Sequence, residues 1–122
     1  MGKVIAYKCI CGYEERTFLG AGFRAMSIEL ISKYFPQEGQ FISEHKDEVK
    51  PYLIKSVLGE CLCCKKLQSI SSLEYTYNDE ACVKHAACPT CDGAIKVIEN
   101  VEDVKCPRCD NIMEYANIGH WD

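Results

Sequence analysis

The 122-residue chain contains no apolar run near the roughly 18 residues that a membrane-crossing helix requires. Its opening, MGKVIAYK, lacks the long apolar stretch of a secretory signal, and Ala6 stands where myristoylation wants Ser or Thr. The expectation is a cytoplasmic protein without membrane contact. Excess positive charge is missing too: 14 Lys and Arg against 18 Asp and Glu give a formal −4, the wrong balance for a chain built mainly to neutralise phosphate. Low-complexity segments are absent. With 48% hydrophobic and 26% charged residues the composition is globular rather than disordered, and the length suits one unit.

Catalytic signatures are also lacking. There is no HExxH, no phosphate-binding P-loop and no nucleophile elbow. A zinc deaminase needs His-x-Glu and a later Pro-Cys-x-x-Cys. Here His45, His85 and His120 are followed two positions on by Asp47, Ala87 and Asp122, and the cysteine pairs read Cys-Pro-x-Cys. The run Gly20-Ala21-Gly22-Phe23-Arg24-Ala25 has the letters of a dinucleotide fingerprint. A second predicted helix and a cysteine pair follow it instead of the return strand of a βαβ unit, so it reads as a turn entering a helix. These absences point away from an enzyme.

Ten cysteines are what the chain has in abundance. In a reducing compartment, clustered cysteines favour metal ligation over disulfides. The pairs are Cys9-Ile10-Cys11, Cys61 with Cys64, Cys88-Pro89-Thr90-Cys91 and Cys106-Pro107-Arg108-Cys109. The last two give C-x2-C, 14 residues, C-x2-C, close to the spacing of a four-thiolate zinc site. A proline after the first cysteine presets φ in both, and Asp92 and Asp110 after the second tolerate a left-handed backbone.

From Cys88 to Cys109, and more loosely from Cys9 to Gly12, the sequence resembles the zinc-ribbon and rubredoxin-like superfamily, in which two cysteine knuckles on β-hairpins clamp one metal. The resemblance implies an architecture rather than a role. With Cys88, Cys91, Cys106 and Cys109 in one site, elimination assigns Cys9, Cys11, Cys61 and Cys64 to a second. Cys63 and Cys82 are left over. A rival grouping is Cys82, His85, Cys88 and Cys91 at three-residue intervals, but it strands Cys106 and Cys109.

Lys3 to Tyr7 and Tyr13 to Leu19 read as strands around the first knuckle. Phe23, Met26, Leu30, Ile31 and Tyr34 recur at helical spacing, which predicts a helix over 22–35 ended by Pro36. A second helix is predicted over 43–58, stopped by Gly59. Strands follow at Gln68 to Asn78, Ala94 to Glu99 and Ile112 to Ile118. The fold class expected is α+β: two small zinc-ribbon β-hairpin units, 1–67 and 68–122, forming one compact body, with a two-helix insertion in the first.

The function expected is a non-enzymatic adaptor holding two structural zinc ions and binding a protein partner, with Trp121 as the candidate anchor. Basic spots at Lys65, Lys66, Lys105 and Arg108 carry the alternative, nucleic-acid or transcription-associated binding. Iron in place of zinc, as in a rubredoxin-like electron carrier, is a further alternative.

Overall fold

A computed structural model describes residues 2–22 and 26–121. Phe23, Arg24 and Ala25, which belong to the fingerprint-like run and to the start of the first expected helix, lie outside the described residues.

β1 (Gly2–Lys8) and β2 (Glu14–Gly20) form an antiparallel hairpin whose inward positions are Ile5, Tyr7, Thr17 and Leu19. Thr17 is tolerated there because its hydroxyl donates to the Ile5 carbonyl at 3.2 Å. Two short helices follow: α1 (Ile28–Tyr34), capped by the Ser27 hydroxyl accepting from the Leu30 N–H, and α2 (Pro36–Glu44). Then come β3 (Val49–Cys61), β4 (Lys66–Tyr77), β5 (Glu80–His85), β6 (Ile95–Val97) and β7 (Glu114–Trp121). One sheet joins them in the order β5-β4-β3-β2-β1-β7, with β6 paired to the end of β3. Strand β1 is therefore central to its half, flanked by β2 and by β7 from the far end of the chain.

The α+β expectation is overturned: the chain is mostly an antiparallel β-sheet with two short helices. The first expected helix is shorter than 22–35, running from Ile28 to Tyr34, and it stops before Pro36 as expected, with Phe35 as its C-cap. Pro36 also opens a second helix: it occupies the first turn of α2, where its missing N–H would have had no intrahelical partner. The helix expected over 43–58 is replaced by the close of α2 at Glu44 and by β3. Ile54 and Leu58 are both buried, and a spacing of four keeps two residues on one face of a strand as well as of a helix. Gly59 lies within β3 opposite Gln68, not at a helix stop.

Two clusters form the interior. Ile31, Phe35 and Ile42 of the helices pack on Val49, Ile54 and Leu73 of the β3–β4 ribbon. Ile5, Tyr7, Leu19, Leu58 and Leu67 pack with Val104, Met113, Cys9 and Cys106. The second cluster thus merges with the cysteine knuckles.

Candidate metal centres

Each cysteine pair sits on a tight turn closed in the same manner. The N–H of the residue after the second cysteine reaches the carbonyl of the first: Gly12 to Cys9 at 3.0 Å, Lys65 to Cys61 at 2.8 Å, Asp92 to Cys88 at 2.9 Å and Asp110 to Cys106 at 2.9 Å. All four donor residues have positive φ, between 53° for Lys65 and 99° for Gly12. The expectation that Asp92 and Asp110 would supply left-handed backbone agrees with their φ of 58° and 67°. The C-x-C pair is one residue shorter than the others yet makes the equivalent closure, with Gly12 taking the largest φ of the four, where only glycine is at ease.

These turns bring eight cysteines into two quartets: Cys9, Cys11, Cys106 and Cys109, and Cys61, Cys64, Cys88 and Cys91. Within each quartet the four sulfur atoms all lie within 4.8 Å of one another. Cross-pairs are 3.2 Å for Cys9 to Cys109, 3.7 Å for Cys11 to Cys106, 3.5 Å for Cys61 to Cys91 and 3.8 Å for Cys64 to Cys88. A tetrahedron with metal–sulfur bonds of about 2.3 Å has edges of about 3.8 Å, so the donor sets fit a four-thiolate metal ion. Disulfides, at about 2.05 Å, are excluded, and all ten cysteines are free.

The same eight residues expected from the sequence are gathered, but the partners are exchanged. Cys88 and Cys91 join Cys61 and Cys64, not Cys106 and Cys109. The two groups are nested along the chain. The inner one joins the β3–β4 turn to the 88–93 loop, and the outer one joins the β1–β2 turn to the 106–111 loop just before β7. Sheet order is the reason: β7 pairs with β1 and β6 pairs with β3, so each late knuckle is delivered beside the hairpin that its flanking strand joins. Cys63, exposed, belongs to neither group. Nor do Cys82 and His85, which lie on β5, so the rival grouping is not assembled.

Donors surround the sulfurs. Thr90 and Arg108 N–H groups point to Cys88 and Cys106 sulfur at 3.4 Å, and the Cys64 N–H points to Cys61 at 3.3 Å. Gln68 is the contribution that sequence reasoning missed. Buried on β4, it donates from Nε2 to the Cys88 sulfur at 3.1 Å. Strand alternation puts it on the face of Ser72, Glu74 and Thr76, opposite the more apolar face of Leu67, Leu73 and Tyr75, so nothing in the sequence marked it as buried or as a partner of Cys88. Asn111 reaches Cys109 similarly at 3.5 Å.

The thiols within each quartet are unequal. For Cys88, desolvation opposes ionisation, but the Gln68 amide and the Cys91 and Thr90 N–H groups outweigh it and bring the thiol down to about 6. The Asn111 N–H, with a bond from Cys9, brings Cys109 down to about 7. Cys9 goes the other way: the Cys11 N–H favours its thiolate, yet its bond to Cys109 and desolvation push it up to about 12. Cys91 is likewise raised, because its bonds to Cys64 and Cys61 outweigh the Gly93 N–H. A quartet with one ready thiolate and reluctant neighbours is a shell that a cation completes.

The outer knuckle is tied to the sheet by Tyr13, whose hydroxyl accepts from the Leu67 N–H at 2.9 Å while the Arg108 guanidinium lies 4.7 Å from its ring centre. Trp121 is half-buried at the end of β7. Its indole N–H donates to the Leu19 carbonyl at 3.1 Å, and its ring lies so close to Gly2 that a Cβ there would overlap it. Among the described residues no helix is long and apolar enough to cross a membrane. No protein-family model matches the chain, and no curated protein and no solved structure matches it either.

Proposed function

We propose that the protein is a non-enzymatic adaptor that holds two structural zinc ions. The observation that carries this reading is the completeness of both shells: each has four protein sulfurs within mutual reach, which leaves no position open for a substrate. Zinc is favoured for a closed tetrahedral sulfur shell with no redox demand, and its binding free energy becomes folding free energy in a small domain. Loading both quartets would also take the formal charge from −4 to about −8, which turns the surface further from nucleic acid. Protein docking draws on aliphatic side chains at the knuckle tips, with Ile10 and Leu62 both exposed beside their cysteines.

The test is elemental analysis of protein purified without chelator, together with its visible spectrum. Near two zinc per chain and no colour support the reading. Iron and a red protein would replace it with an electron carrier, and fewer than two metals per chain would remove one centre. Sub-micromolar, salt-sensitive binding to a random oligonucleotide pool would displace the adaptor by a nucleic-acid binder.

A further inference from the structure

Cys63 belongs to neither quartet, yet it stands at the rim of the inner one. It lies in the β3–β4 turn between Cys61 and Cys64, with its side chain exposed. Gly93 fixes its place relative to the 88–93 loop. A Cβ built on Gly93 would stand 3.1 Å from the Cys91 sulfur, 3.8 Å from the Cys63 Cβ and 3.9 Å from the Cys61 sulfur. Cys63 and Cys91 therefore border the same gap, which glycine leaves open. The inner centre has a fifth thiol beside its four.

The four inner sulfurs are not equally open to this neighbour. Cys61 and Cys88 are buried and Cys64 is half-buried, whereas Cys91 is exposed. Cys64 also follows Cys63 directly, and consecutive Cα atoms, about 3.8 Å apart, fall short of the roughly 4.4–6.8 Å usual across a disulfide. Cys91 is the partner that remains. Nothing equivalent flanks the outer quartet. Cys82, the other cysteine outside both groups, faces Tyr75 from β5, at the opposite edge of the sheet from β7.

We propose, resting on the reading that the inner quartet holds zinc, that Cys63 makes this centre a peroxide-operated release: a Cys63–Cys91 disulfide expels the inner ion while the outer centre keeps its own. The Cys63 thiolate attacks one oxygen of hydrogen peroxide, the O–O bond breaks, and hydroxide leaves a sulfenic acid behind. The Cys91 thiolate then attacks the Cys63 sulfur, the S–O bond breaks, and a second hydroxide departs. Two electrons have passed from the sulfur pair to the peroxide, and the proton shed by the Cys63 thiol turns one hydroxide into water. The electron pair that Cys91 gave to zinc now sits in the S–S bond. With three sulfurs left, the ion is lost to solvent, and the 88–93 loop is no longer clasped to the β3–β4 turn.

The experiment treats the full, metal-loaded chain with hydrogen peroxide beside a chromogenic zinc chelator and maps disulfides by peptide mass spectrometry. The parent should release one zinc per chain in step with the Cys63–Cys91 link, and should recover it after dithiothreitol and added zinc. Cys63→Ser should release that zinc about tenfold more slowly, because only metal-bound thiolates are then left for the peroxide to attack at this centre. Cys82→Ser should behave as the parent. Release at the parental rate from Cys63→Ser overturns the proposal, as does a link from Cys63 to any cysteine other than Cys91, or loss of both zinc ions together. Counting zinc before peroxide tests the zinc reading separately. Fewer than two per chain defeats that reading, whereas two per chain with unchanged release from Cys63→Ser defeats the switch alone.

Discussion

The Cys9 sulfur lies 3.2 Å from the Cys109 sulfur, although 100 positions separate them in the chain. This contact makes the outer quartet a clasp between the first hairpin and the last strand, while the inner quartet closes a loop of a few dozen residues inside it. The nested arrangement has a direct consequence for mutants. Cys9→Ser and Cys109→Ser should each empty the same centre, and the double mutant should lose no more metal than either single one. Cys61→Ser and Cys88→Ser should empty the other. Metal counting by elemental analysis checks this; a shared loss between Cys88→Ser and Cys109→Ser would restore the sequential pairing. Cys63→Ser, at an exposed thiol outside both groups, should keep both metals and change stability by no more than about 0.5 kcal/mol.

Why the partners were not legible is a matter of range. C-x2-C spacing is a local property, and it identifies a knuckle because the closing N–H to carbonyl bond spans only that turn. Which two knuckles share a metal depends on β1 pairing with β7, a contact between chain ends that no local pattern records. The β1–β2 hairpin was readable because one-sided burial preserves alternation, and β4, although buried on both faces at Leu67–Gln68 and Ser72–Leu73, was readable from its β-branched and aromatic residues. β3 was not, since it meets the helices at Ile54 and the knuckle core at Leu58. β5 was overlooked although its signal was present. Asn78 and Asp79, with φ of 52° and 62°, form the two-residue turn that joins it to β4.

Gln68 allows the inner centre to be tested without touching a ligand. Its amide N–H is 3.1 Å from the Cys88 sulfur, and both residues are buried. Partners of this kind hold a ligand's orientation and offset its charge, and their loss commonly costs about 10–100-fold in metal affinity. Gln68→Leu keeps much of the volume and removes the donor. It should accelerate chelator-driven metal release from the Cys61, Cys64, Cys88 and Cys91 shell while the outer shell releases at the parental rate. Equal acceleration at both centres would indicate general loosening of the sheet instead.

The unequal thiols carry a pH dependence. Cys109 and Cys88 are depressed to about 7 and about 6, so in the metal-free chain their stabilising contribution is complete above the ordinary thiol value and disappears as pH falls through 7 and then 6. Cys9, raised to about 12, has the opposite sign: its contribution is complete below the ordinary thiol value and declines as pH climbs toward 12. Urea denaturation in the presence of chelator should therefore show stability increasing from about pH 6 to about pH 9. Near pH 8 each shell already holds one thiolate, so zinc binding should release fewer than four protons per metal, approaching four below pH 6. Calorimetry in buffers of differing ionisation enthalpy measures that number.

Lys65 is the least comfortable of the residues that close the knuckles. Its φ of 53° matches a role filled by Gly12, Asp92 and Asp110 elsewhere, and a lysine has neither glycine's freedom nor the short polar side chain that eases the other two. The left-handed backbone costs an ordinary side chain roughly 1–2 kcal/mol. Glycine removes that cost but gives back part of it through the greater freedom of the unfolded chain. Lys65→Gly should thus gain about 0.5–1 kcal/mol, a rise in melting temperature of about 2–4 °C for a chain of this size. Lys66→Gly is the control. Lys66 begins β4, paired with Cys61, so there glycine relieves no left-handed backbone and should lose about 0.5–1 kcal/mol. Opposite signs at adjacent lysines would separate backbone strain from any effect of removing positive charge beside an anionic metal centre, which both substitutions share; equal shifts would mean that charge, not conformation, governs this turn.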